Sequence, residues 1–110
     1  MGKKLAQIQD VMKQLGGHAP DVMNSFMAFN RAVTKDGALP HKMKTIIAVA
    51  LAVQTRCDYC LAIHVADALQ AGASKEEILE GAYVAAAMGG GPAIAGLRGV
   101  FDALEAFSAK

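Results

Sequence analysis

Ile46-Ile47-Ala48-Val49-Ala50-Leu51-Ala52-Val53 is the longest wholly apolar run in the chain. Gln54-Thr55-Arg56 separates it from Cys57-Asp58-Tyr59-Cys60-Leu61-Ala62-Ile63-His64. The first stretch reads as a helix apolar on all sides, running from His41 to Gln54 or Thr55. The second opens another helix near Cys57 that ends at Ala71, before Gly72. On a helix, positions i, i+3 and i+7 share one face, so Cys57, Cys60 and His64 line a single stripe. The imidazole then stands one turn from Cys60, within reach of its proton. These are the only two cysteines among 110 residues.

Outward from this pair, every segment carries helical spacing and none carries the period of two that marks a strand. Leu5, Ile8, Val11, Met12 and Leu15 predict a helix from about Lys3 to Leu15, with Gly16-Gly17 as its stop. Pro20 opens a second helix whose apolar set includes Val22, Met23, Phe26, Met27, Phe29 and Val33. Residues 35–40 form a loop. Ser74 and Glu77 match a capping box that starts a fifth helix, about Lys75 to Met88. Gly89-Gly90-Gly91 breaks it, and Pro92 starts a sixth that ends near Ser108. The fold expected is all-α, six helices in a single domain over residues 1–110.

A net charge of +1, scarce aromatics and no basic face argue against a nucleic-acid binder. The apolar run from Ile46 to Val53 falls far short of the roughly 20 residues that span a bilayer. The N-terminus carries no signal-peptide apolar core, so the expected location is the cytoplasm. Thiols stay reduced there, and a cysteine pair reads as catalytic or metal-binding rather than as a structural staple. A helix apolar all round must be buried all round, and a small domain has limited interior. A homo-oligomer built on alanine- and glycine-rich helical contacts is therefore expected.

The chemistry that suits the stripe is thiol redox. A thiolate is the nucleophile, and helix N-termini or a neighbouring imidazolium bring cysteine pKa values down to about 3.5–7.5. His64 is placed to take the Cys60 proton. The second thiol then resolves a sulfenic acid or mixed disulfide formed on the first. Two other readings compete: cysteines as small core residues, and a zinc site, for which His18 and His41 lack paired ligand spacing. No flavin, haem or nicotinamide motif is visible, and no cofactor is expected. The glycine triplet lacks the spacing of a dinucleotide site.

From Leu39 to Phe107 the chain resembles the AhpD-like, alkylhydroperoxidase-type branch of the carboxymuconolactone decarboxylase superfamily. Four features carry the likeness: Leu39-Pro40 before the apolar helix, Cys57-Asp58-Tyr59-Cys60 with His64, Gly72-Ala73-Ser74-Lys75-Glu76-Glu77-Ile78, and Met88-Gly89-Gly90-Gly91-Pro92-Ala93. The resemblance implies a helical multimer, often a trimer or hexamer, with thiol-dependent peroxidase or disulfide reductase activity. It implies Cys60 as the attacking cysteine, Cys57 as the resolving one and His64 as the proton relay. It also implies an external dithiol, such as a lipoyl-bearing protein, as reductant. The decarboxylase branch lacks the cysteine pair, which sets decarboxylation aside. Where the peroxidase pattern has a glutamate, twelve residues before the first cysteine, this chain has Thr45, and Glu80 is the candidate to replace it. The rival function is a non-catalytic oligomeric binding or scaffold protein that keeps its cysteines for packing or metal.

Overall fold

The computed structural model of the protein describes residues 1–108, and all regular structure among them is helical. Six helices follow in order: α1 (Gly2–His18), α2 (Pro20–Thr34), α3 (His41–Thr55), α4 (Asp58–Gln70), α5 (Lys75–Gly89) and α6 (Gly91–Ser108). α3 packs against α4, α5 and α6, and these four enclose the core. Val49 and Val53 from α3 meet Leu61 and Val65 from α4, Ile78 from α5, and Val100 and Leu104 from α6, all sealed from solvent. Each such side chain contributes about 1.5–3 kcal/mol on burial. α1 lies along α4 and α2, whereas α2 meets α3 only at its edge. Neither α1 nor α2 contains a buried residue.

The small residues decide how closely these helices approach. Gly81 of α5 faces Ile46 of α3, and a Cβ at Gly81 would collide with the isoleucine Cγ2. In α6 a Cβ on Gly99 would stand 2.6 Å from Leu61 Cδ1. Close approach at glycine is thus a feature of the subunit's own helix contacts.

Most helix ends fall where local chemistry puts them. Ser74 Oγ accepts the Glu77 amide at 3.0 Å and Glu77 Oε1 accepts the Ser74 amide at 2.8 Å, completing the capping box. Gly90 alone separates α5 from α6. Its amide donates to the Ala86 carbonyl, its own carbonyl accepts from Ile94, and its φ of 68° is one a side chain would resist. α1 departs from expectation by running through Gly16 and Gly17 to His18. The stop lies instead at Ala19, held out of the helical region because Pro20 follows it. α3 departs too: one side is buried, but Met43, Ile47 and Leu51 remain exposed on the subunit surface. Among the described residues, no helix is long and apolar enough to cross a membrane.

Candidate active site

Two residues join α3 to α4, and their geometry builds the site. Arg56 takes the left-handed conformation, φ 54° and ψ 43°, usually filled by glycine at a helix end. Its amide donates to the Val53 carbonyl at 3.2 Å, and the Cys57 amide donates to Ala52 at 3.4 Å. This paired closure turns the chain sharply, so that Cys57 becomes the N-cap of α4. The Cys57 Sγ accepts the Cys60 amide at 3.2 Å, doing what a serine or aspartate oxygen does at most N-caps.

The two residues between the cysteines are held from outside. Lys4 of α1 pairs with Asp58 at 3.1 Å and lies 5.7 Å from the Tyr59 ring centre, and the Tyr59 hydroxyl donates to Gln7 at 3.3 Å. Cys60 and His64 line one open depression of about 180 Å³, walled by Ala48, Leu51, Ala52 and Thr55 of α3. Cys57 does not line it. Both thiols are free and half-buried. Two larger depressions, of about 400 and 440 Å³, lie beside Phe107 and Phe101. Their walls hold no cysteine or histidine, so the smaller cavity is where chemistry is available. Among the described residues, no group of three or more His, Cys, Asp or Glu side chains stands together as a metal site.

Residues 20–103 match the carboxymuconolactone decarboxylase family. The chain belongs to the carboxymuconolactone decarboxylase family. Along 94% of its length it is 39% identical to an uncharacterised protein of Cupriavidus necator, covering 94% of that protein. It superposes with a TM-score of 0.93 on the crystal structure of a family member from Legionella pneumophila, with 34% identity over 97% of this chain and 96% of that one. A family member from Thermotoga maritima, described with a possible role in antioxidative response, gives a TM-score of 0.82 at 27% identity, covering 96% and 91% of the two chains.

Within this family member the charges differ from those the sequence suggested. The Cys60 thiol is pushed up to about 11, not down. The first cause is its hydrogen-bonding neighbour Cys57, then burial, then the negative charge a Cys57 thiolate would place beside it. Two sulfurs this close resist carrying two charges. Burial holds His64 below the ordinary histidine range, against a smaller upward pull from Asp67. The imidazole is therefore neutral near pH 7, the form that accepts a proton.

Asp67 is the carboxylate that the sequence reading missed. It stands one turn beyond His64 on α4, where residues three apart are neighbours. Loss of solvent raises its pKa, while His64 and His41 oppose that rise. The spacing His64-Val65-Ala66-Asp67 was the available signal. Glu80, the earlier candidate, is exposed on α5. Thr45 is buried, with its hydroxyl donating to the Lys42 carbonyl at 2.6 Å, so no acid reaches the site from that position.

Proposed function

We propose that this family member is a thiol oxidoreductase of the alkylhydroperoxidase or disulfide reductase type, acting through Cys60, Cys57 and His64. The observation that carries this reading is that Cys60 and His64 share one cavity while Cys57 Sγ accepts the Cys60 amide. With its pKa raised to about 11, the Cys60 thiol is protonated at neutral pH. A standing thiolate is therefore not the reactive form, and a base must act during attack. His64 takes the Cys60 proton as sulfur attacks the terminal oxygen of a hydroperoxide. The O–O bond breaks, the alcohol leaves with a proton, and Cys60 becomes a sulfenic acid. Cys57 then attacks the Cys60 sulfur, water leaves, and a disulfide forms. An external dithiol, of the lipoyl kind, reduces that disulfide by exchange and is itself oxidised. Such chemistry belongs in a reducing compartment such as the cytoplasm, and the working form is a homo-oligomer.

The raised Cys60 and the threonine at position 45 favour a second reading, a non-catalytic oligomeric binding or scaffold protein. One assay separates the two. Turnover of an alkyl hydroperoxide with dihydrolipoamide is expected for the wild type. It should fall at least about a hundredfold in Cys60→Ser, as loss of a nucleophile demands. Cys57→Ser should form the sulfenic acid once and then stall. Full turnover by Cys60→Ser would rule out Cys60 as the nucleophile, and none by the wild type would remove the enzyme reading.

A further inference from the structure

Resting on the thiol reading above, we propose that Ala48 and Leu51 of α3 set the substrate range of the Cys60 cavity, selecting a compact, uncharged organic hydroperoxide. α3 and α4 are joined by Arg56 and Cys57 alone and pack along each other, so they run antiparallel. Ala48, Leu51, Ala52 and Thr55 share one face of α3, as positions three, four and seven apart do. Cys60 and His64 meet that face from α4. Thr55, the last residue of α3, therefore lies at the Cys60 end of the cavity. Ala48 lies two turns back, toward the His64 end.

Polar and apolar walls are separated accordingly. The side chains of Ala48, Leu51 and Ala52 are hydrocarbon, whereas the Cys60 thiol and the Thr55 hydroxyl stand together nearer the turn. That hydroxyl donates to the Ala52 carbonyl at 3.2 Å, leaving its lone pairs to accept from a hydroperoxide O–H. Attack fixes the direction of the rest. Sulfur takes the terminal oxygen, the O–O bond breaks in line with it, and the alcohol leaves with a proton. The organic group must then extend away from Cys60, along Leu51 and Ala48.

Volume and charge define what fits. The cavity holds about 180 Å³, and an apolar cavity of about 150 Å³ takes benzene. A tert-butyl group with its oxygens is of that size, and a cumyl group is larger. Hydrogen peroxide enters but leaves the hydrocarbon wall unused. No acidic, lysine or arginine side chain lines the cavity, and burial keeps the His64 ring uncharged. An anionic hydroperoxide or a peptide disulfide would shed water there without gaining an ion pair. Asp67, one turn beyond His64, acts on the ring through its charge and would oppose a second anion.

The test measures kcat/KM, with dihydrolipoamide as reductant, for four oxidants. These are hydrogen peroxide, tert-butyl hydroperoxide, cumene hydroperoxide and a tert-alkyl hydroperoxide bearing a carboxylate. A methylene in an apolar pocket changes kcat/KM by about 10–200-fold, so the tert-butyl compound should lead each of the others by about tenfold or more. Ala48→Leu fills the His64 end and should lower the tert-butyl to hydrogen peroxide ratio about tenfold. Leu51→Ala only removes atoms and should raise the cumene to tert-butyl ratio about tenfold. It also keeps the test decisive if circular dichroism shows Ala48→Leu unfolded. Equal values for all four oxidants, or ratios that neither variant moves, overturn the proposal.

A second readout needs no turnover. In Cys57→Ser, Cys60 is the one remaining cysteine. Its modification by ethyl, sulfonatoethyl and benzyl methanethiosulfonate is timed, each rate divided by that for free cysteine. The ethyl reagent should outrun the other two by about tenfold, and Leu51→Ala should close the gap for benzyl. Equal rates for all three refute the proposal. A protein that sorts these reagents but turns over no hydroperoxide loses the enzyme reading alone. One that turns over every hydroperoxide alike loses the size and charge selection alone.

Discussion

At the scale of single residues, a sulfur beside a sulfur outweighs the helix terminus. Cys57→Ser removes the neighbouring sulfur that does most to raise the Cys60 value. The pH midpoint of Cys60 alkylation should then fall from about 11 toward the ordinary thiol value of 9.0. A midpoint that stays near 11 in the variant would mean that burial, not Cys57, holds the proton. His64 is governed by the opposite balance: burial disfavours its charged form, and the Asp67 anion partly restores it. Asp67→Asn withdraws that support. The His64 titration followed by proton NMR should begin below the usual 6.5 and move lower still in the variant. An upward move would show that the carboxylate does not act on the ring. If His64 is the base, the acid limb of turnover shifts in the same direction.

At the scale of helices, close approach is set by residues that lack a side chain. Gly81→Val puts a branched group against Ile46 where not even a methyl fits. Overpacking of this kind costs about 1–3 kcal/mol, readable as a lower urea midpoint with the m-value unchanged. Most of the helix pattern was legible because the signals are local: Pro20, the Ser74 and Glu77 box, and Gly72, whose φ is 93°. Gly16-Gly17 misled because glycine ends a helix only where the chain turns left-handed, and here Pro20 ends it through Ala19. Arg56 was illegible for the converse reason, a left-handed turn without glycine. That Cys60 and His64 line one cavity agrees with their spacing of four. The direction of the Cys60 shift did not, since it depends on Cys57 capping the helix rather than lying within it. The exposed half of α3 was hidden as well, because composition cannot say which apolar residues a lone subunit leaves uncovered.

At the scale of the molecule, the exposed apolar side of α3 sets how the fold responds to dilution. If association covers it, folding is linked to subunit concentration by mass action. The thermal midpoint of the wild type should rise with protein concentration, while that of Ile47→Lys should not; scanning fluorimetry over a dilution series checks both. A wild-type midpoint independent of concentration would mean that the subunit is self-sufficient. The α1 grip on the segment between the cysteines gains meaning here. Lys4 and Gln7 hold Asp58 and Tyr59 from a helix that also packs along α2 and touches α6. Whatever steadies that N-terminal hairpin would also steady the N-cap and first turn of α4, which bear the two thiols. If subunits associate through that hairpin, the effect would reach the sulfurs through the Lys4 and Gln7 contacts, and amide exchange at Asp58 to Leu61 would slow as protein concentration rises.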